Sequence, residues 1–403
     1  MKQIAGFNKY LYLCKAFFNW KIRELPWEFI LFMIKQMRHE KITLDDKRIF
    51  INTTYTPFPS PAFDTAIKTF VSLSKGKAIP FSVFISLTNR CPLDCWHCSK
   101  VSGESHEISF ETLSGLIKQL QLLGVCCIGF TGGEPALRAD LEKLIAEVDN
   151  RSYTLLFTSG YLINQERARE LKKSGLTAIV VSLDSHLPEE HNRLRKSEKA
   201  FADAVAAITG SLTAGIYTAT SLVISREMLY SDKIDDYIRF VSQLGVQEIR
   251  ILDPKPCGKL MNTTGEMFDE NDAAKLREVQ HQVNQNNKLA KIMALSQINS
   301  LGNYGCNAGR THLYINAHGE VCPCDFVPLS FGNILTEDFQ TIYLRMNQFF
   351  PRPAYGCIIS KIHQQINQSA KGQLPIKDLP TIENLLGQVG PRPVPKLFEK
   401  LGG

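Results

Sequence analysis

Arg90-Cys91-Pro92-Leu93-Asp94-Cys95-Trp96-His97-Cys98 is the stretch on which the reading of this chain turns. Three residues separate the first two thiols and two separate the last pair, so one tight loop can aim all three at a single metal centre. Three thiolates leave a four-ligand iron-sulfur site one ligand short, and an open position is what a reactive cofactor needs. A structural zinc knuckle is the competing reading. No fourth ligand lies at zinc-finger spacing downstream, although His97 sits inside the motif and spacing alone leaves it in play.

Outward from this loop the pattern alternates between strand and helix. Period-2 and short apolar runs predict strands over 81–87, 126–131, 154–158, 178–183, 218–224 and 248–252. Helices are expected over 110–123, 137–148, 165–174, 200–214, 233–244 and 271–286. Six successive units of this kind predict an α/β fold, a partial (β/α)6 TIM-like barrel, whose site lies at the C-terminal ends of the strands. The cysteine loop directly follows the first strand, at that functional end. The second strand runs into Thr131-Gly132-Gly133-Glu134-Pro135, where paired glycines permit close backbone approach and the carboxylate can accept hydrogen bonds from an amine. Cys126 and Cys127 precede it and face opposite ways on the strand, so packing is their expected role.

Cys91, Cys95 and Cys98 reproduce the CxxxCxxC motif of the radical S-adenosylmethionine enzymes, with an aromatic residue, Trp96, after the middle cysteine. In that family the three cysteines hold a 4Fe-4S cluster whose fourth iron is chelated by S-adenosylmethionine. One electron then cleaves the cofactor to a 5′-deoxyadenosyl radical that takes hydrogen from a substrate. Gly132, Gly133 and Glu134 resemble the family's GGE motif, which contacts the methionine amino group. His191-Asn192-Arg193-Leu194-Arg195 resembles its HDxxR turn; by that likeness Ser182 and Arg195 hold the cofactor's ribose or carboxylate. Asn192 replaces the aspartate, keeping a helix cap and losing a charge. Thr158-Ser159-Gly160 is a weaker match to a TNG-like strand end. The resemblance also implies an electron donor such as flavodoxin or ferredoxin.

A second cysteine group follows the barrel. Residues 311–316, Ala317-His318-Gly319 and 320–324 read as a β-hairpin, with Cys322 and Cys324 on one face of its second strand. Cys306 can fold back to meet them, and Cys357 lies beyond a helix expected near 335–350. This region resembles the SPASM extension or its shorter twitch form, which implies one auxiliary iron-sulfur cluster. Cys306, Cys324 and Cys357 are its expected ligands, with Cys322 and Cys257 competing for the fourth place. Cys257 is equally readable as a hydrogen-atom donor or a plain buried thiol. A zinc ribbon is the alternative for the same thiols, and a non-catalytic redox or scaffold protein is the alternative for the whole chain. His312 and His318 have no ligand spacing and read as turn or surface residues.

At 403 residues the chain has room for two or three structural units. The expected divisions are 1–80, a helical, basic and aromatic extension; 81–300, the barrel; 301–365, the auxiliary module; and 366–403, a proline-rich surface tail with a helix over 381–386. The net charge is +6, and in residues 1–50 ten lysines and arginines meet five acids, so the excess is concentrated there. Ile4, Phe7, Leu11, Cys14 and Phe18 form an apolar helical stripe, and a second helix is expected to open at Pro26. Residues 52–61 read as an extended proline-rich linker. Such a basic, aromatic helix pair covers a lipid-like substrate, touches a membrane surface, or simply packs on the barrel. The expected substrate is a peptide or a hydrophobic or anionic small molecule, and no nucleic acid is expected. Charges interrupt every early apolar run, so neither a signal peptide nor a membrane span is read there, and eleven cysteines then place the chain in a reducing cytoplasm, peripherally membrane-associated at most.

Overall fold

In the computed structural model, residues 1–17, 20–45, 47–100, 107–263, 265–370 and 372–402 are described. The chain opens with a three-stranded antiparallel sheet, β1 (Lys2–Ile4), β2 (Ile42–Leu44) and β3 (Ile49–Phe50), in that spatial order. The extension expected to be helical is therefore mixed, with helices Asn8–Phe17 and Trp27–Gln36 between β1 and β2. The apolar stripe on the first of these is turned outward: Phe7 and Leu11 are exposed, while Leu13 and the aliphatic stem of Lys9 are buried. Phe18 lies outside the described residues. The linker does run over 52–60 without regular structure, but at Pro61 it enters a helix, Pro61–Ser74, that the sequence reading missed. Ser60 caps it by accepting from the Phe63 amide.

Beyond the extension, β4 (Ser82–Ser86), β5 (Cys127–Thr131), β6 (Tyr153–Thr158), β7 (Ala178–Ser182), β8 (Tyr217–Val223), β9 (Glu248–Leu252) and β10 (Lys291–Ala294) lie side by side in sequence order, all parallel. Helices fill the outer layer, packing apolar faces such as Leu113, Leu116, Ile117 and Leu120 on the strands' Val83, Ile85, Ile128 and Phe130. The α/β partial barrel is as expected, with one more parallel strand. That strand, β10, is only four residues long and begins with Lys291, which breaks the apolar pattern. The lysine is buried and donates to the carbonyls of Phe50 and Ile51. The hairpin β11 (His312–Ile315) and β12 (Val321–Cys322) is not detached from the barrel: β11 pairs parallel with β4, so the module extends the same nine-stranded sheet.

The extension closes the barrel at the strands' N-terminal ends, away from the cysteine loop. Phe50 stacks on Tyr217 with ring centroids 4.5 Å apart. The buried carboxylate of Glu248 accepts from the Thr53 amide and hydroxyl and from the Tyr217 hydroxyl. Phe50→Ala is expected to lower stability by ~3–5 kcal/mol through loss of a buried ring and the cavity left behind; a thermal melt followed by circular dichroism checks it. The C-terminal segment is not a loose tail. Its helix Leu379–Gly387 slightly exceeds the expected range, and a second helix, Lys396–Leu401, buries Leu397, Phe398 and Leu401 against the extension. Lys400 pairs with Glu28 there.

Candidate active site

The cysteine loop leaves β4 at its C-terminal end and is gripped from two sides. On one side, the chain after β5 passes directly beneath it. The Gly133 amide donates to the Thr88 carbonyl at 2.7 Å and the Glu134 amide to the Arg90 carbonyl at 2.8 Å. A Cβ on Gly133 would stand 2.2 Å from the Arg90 oxygen, and Gly132 adopts φ +148° with the Thr88 oxygen 2.6 Å from where its Cβ would lie. What these glycines approach is therefore the loop's own backbone.

Glu134 is fully buried, and its carboxylate accepts from the Ala136 amide, the Thr158 hydroxyl, and the amide and hydroxyl of Ser159. A carboxylate offers about four lone-pair sites, and all four are taken. Burial raises its pKa against these bonds. Thr158-Ser159-Gly160 thus serves as the grip on Glu134. The side chain expected to meet an amine ties β5 to β6.

On the other side stands the helix Pro188–Arg195. Its last carbonyls accept from the loop, Arg195 from the Asp94 amide and Leu194 from the Trp96 amide, both at 3.3 Å. Arg195 is buried; it donates to the Cys95 sulfur at 3.4 Å and pairs with Asp184 at 2.6 Å. Its guanidinium thus links Asp184 to the Cys95 sulfur of the loop. Asp184 also lies 3.7 Å from His97. Burial opposes its ionisation, yet Arg195 and His97 hold it well below the usual carboxylate range. Burial brings His191 down to about 4, against the pull of Asp184. The ring is neutral, and its Nδ1 accepts from the Asp184 amide. Asn192 caps the next helix by accepting from the Phe201 amide, as its replacement of aspartate suggested. Ser182 ends β7 half-buried, beside Ser221 of β8.

The donor set suits a cluster better than a lone ion. Among the described residues no three Cys, His, Asp or Glu side chains converge tightly enough to hold a single metal ion. The indole N–H of Trp96 is buried without a hydrogen-bond partner, a donor left for a bound sulfur or oxygen. Burial pushes the Cys91 thiol up to about 11, so it ionises when a cationic centre is present to compensate.

Below the loop is a chamber of about 330 Å³ that runs from Ser99 and Thr131 down to Cys127 and Tyr153. Cys306, Cys324 and Cys357 line its wall, and each interacts electrostatically with the other two. Cys322 does not join them. Pro323 lacks a donor and ends β12 at Cys322, so the two thiols expected to share a strand face are separated; Cys322 is buried among Glu320, Asp325 and Lys377. Cys257 lies in the segment after β9, near both Cys357 and Cys98, and burial pushes it up to about 12. The next residues clamp the first loop, with the Lys259 amide donating to the Cys98 carbonyl. Lys255 is buried near Cys357 and Cys306; although burial opposes the charge, Asp253 and those thiols hold its pKa above the ordinary range. His312, read as a surface residue, instead bridges Ser82 and Asp325 in the chamber wall. His318 meets the Asn89 side chain at 2.8 Å.

A family model described as the radical SAM superfamily matches residues 85–241, and one described as an iron-sulfur cluster-binding domain, SPASM, matches residues 306–355. The chain belongs to the radical SAM superfamily. Radical SAM proteins of this kind are enzymes that use a 4Fe-4S cluster and S-adenosylmethionine, and the SPASM domain adds further iron-sulfur clusters. A probable GTP 3′,8-cyclase of Methanosarcina acetivorans is 25% identical over 255 residues, covering 60% of this chain and 76% of that protein. SuiB of Streptococcus suis, solved with S-adenosylmethionine, superposes with a TM-score of 0.58 at 16% identity over 77% of this chain and 80% of its own. AnSMEcpe, solved with AdoMet and the Kp18Cys peptide, gives 0.54 at 20% over 67% and 82%. At these identities the two structures establish the radical SAM fold and nothing finer.

Of the residues that brace the loop, Thr158 and Ser159 are picked out by their likeness to a TNG-like strand end, without their role as the grip on Glu134. Asp184 and Lys259 were missed as functional; the end of the fourth strand did not reveal that Asp184 is the partner of Arg195.

Proposed function

We propose that this radical SAM enzyme abstracts hydrogen from a substrate held in the chamber between the 91–98 loop and the second cysteine group. When bound, the cluster and S-adenosylmethionine supply the electron transfer that generates a 5′-deoxyadenosyl radical. Cys91, Cys95 and Cys98 hold that cluster; the 132–134 turn and Ser182 receive the cofactor; Arg195 fixes Cys95 from behind. The observation that carries this reading is a doubly braced cysteine loop beside a chamber whose wall bears three more thiols. Anaerobic reconstitution, dithionite and chromatographic detection of 5′-deoxyadenosine test it. The product is expected from wild type, and its absence with fully loaded protein overturns the reading.

Cys306, Cys324 and Cys357 hold the auxiliary cluster, with Cys257 as the fourth ligand. Its thiol neighbours Cys357, whereas Cys322 neighbours two carboxylates and a lysine. Lys255 offsets the cluster's negative charge. Cys257→Ala is expected to remove about one cluster's worth of iron per chain while Cys322→Ala leaves iron content unchanged; iron analysis and Mössbauer spectra check both. A flavodoxin or ferredoxin supplies the electron.

The chamber's charges favour a hydrophobic or anionic small molecule. Arg250 crosses its floor over the Phe157 ring at 5.4 Å, and its Nε–H is buried without a hydrogen-bond partner. That donor and Lys255 suit an oxygen-rich or anionic group. A peptide is the second reading, supported by the fold shared with SuiB, which has been solved bound to the precursor peptide SuiA. Among the described residues no helix is long and apolar enough to cross a membrane.

A further inference from the structure

A second cavity, of about 250 Å³, lies inside the N-terminal extension. Helices Asn8–Phe17, Trp27–Gln36 and Pro61–Ser74 wall it with Leu13, Phe29, Met33 and Ile67, and among the described residues none that lines it is charged. Its few polar groups are Thr56 and tyrosine hydroxyls, and the Tyr55 hydroxyl is spent on Tyr304. An apolar cavity of about 150 Å³ stays dry and binds benzene. This one is larger and opens to the surface, so a chain can enter it, and an apolar recess of that size gains by covering its walls.

The cavity adjoins the reaction chamber. Phe70 and Phe81 line both, their ring centroids 5.6 Å apart, so two rings are all that separates the voids at that point. Tyr55 of the cavity and Tyr304 of the chamber meet at the same wall. On the chamber side the unpartnered Arg250 Nε–H awaits an acceptor.

We propose that the substrate is an amphiphile whose hydrocarbon chain lies in the N-terminal cavity and whose oxygen-bearing head lies in the chamber. The rings of Phe70 and Phe81, in contact at 5.6 Å, part to admit the chain. The head accepts from Arg250, which places the carbons nearest the head in the chamber, below the cysteine loop. Acyl and prenyl chains share the chemistry the cavity selects. The inference rests on the proposed reaction site for the place of the head, whereas the place of the chain stands on the cavity alone.

The helices that wall the cavity also turn apolar residues outward, Leu11 beside Phe7 on the first and Trp27 and Leu31 on the second, which gives a chain two sources: free solution or a bilayer. The test uses reconstituted full-length protein and cis-parinaric acid, a fluorescent fatty acid, offered free or preloaded in phosphatidylcholine vesicles. Saturable one-to-one uptake is expected. Uptake from solution alone assigns a soluble amphiphile, and uptake from vesicles as well assigns a membrane lipid. Ala66→Phe and Met33→Trp fill the cavity from different helices. Each is expected to weaken binding at least about tenfold, the burial of roughly two methylenes. Thermal midpoint and iron content identify a variant that failed to fold, and one folded variant suffices. No saturable uptake by wild type, or undiminished uptake by a folded cavity-filling variant, overturns the proposal. Failure to form 5′-deoxyadenosine with the fatty acid bound would instead overturn the reaction reading and leave the chain site standing.

Discussion

Gly133→Ala is expected to abolish 5′-deoxyadenosine formation and to strip most of the iron held by the 91–98 loop. The added carbon would stand 2.2 Å from the Arg90 carbonyl oxygen and 2.8 Å from that of Asn89. Both obstacles are backbone, so no side chain can swing aside. Relief requires the two chains to part, which breaks the bonds from Gly133 to Thr88 and from Glu134 to Arg90. Overpacking of this kind costs ~1–3 kcal/mol or more, but the larger effect is geometric. A loop shifted by about 1 Å loses roughly 100-fold in rate where reacting groups must be aligned, and three thiols that no longer converge lose the cluster. Gly115→Ala is the control. That glycine sits in the helix Phe110–Leu123 with open space where its Cβ would lie, and alanine there is expected to stabilise by up to ~1 kcal/mol. Iron analysis and product chromatography read both variants; normal iron and activity in Gly133→Ala would refute the packing argument.

Asp184→Asn is expected to cost ~3–5 kcal/mol, because it leaves the Arg195 guanidinium buried without its counter-charge. Its second consequence is spectroscopic. Arg195 donates to the Cys95 sulfur, and hydrogen bonds to cluster sulfurs are among the levers on reduction potential. With Asp184 neutralised, the guanidinium beside the sulfur is no longer offset by a carboxylate. More net positive charge near the cluster moves its midpoint to more positive potential, measurable by redox titration followed by electron paramagnetic resonance. Arg195→Met acts in the opposite direction: it removes the bond to Cys95 and the positive charge while Asp184 remains, so the midpoint falls. An unchanged midpoint in both variants would leave Arg195 a purely structural residue.

Much of the architecture could be read locally. The strands β4 to β9 are short apolar runs between helices of ordinary amphipathic period, and Phe110–Leu123 has both its signals, Ser109 before it and Gly124 after it. Signals failed where a polar residue sits inside for a long-range reason. Lys291 hid β10 because its partners are carbonyls of Phe50 and Ile51, some 240 residues away. Phe7, Leu11 and Cys14 have the period of a packed face, yet the helix turns Leu13 and Lys9 inward, and Lys9 is held by the carbonyls of Arg38 and Glu40. Proline content made the C-terminus look loose, while Leu397 and Phe398 pack into the extension.

The sequence by itself determined the three-cysteine motif, the glycine-glycine-glutamate turn and the parallel barrel that sets them on adjacent strands. Each is written in spacing over a few residues or in the period of one element. The tertiary structure alone decided that Glu134 is consumed internally and that Arg195 reaches back 100 residues to Cys95. It alone set Cys257 rather than Cys322 beside Cys357, and it alone opened an apolar cavity next to the chamber. These are outcomes of which surfaces meet when the sheet closes. Spacing along the chain encodes which way a side chain points on its own element, but not what stands opposite it.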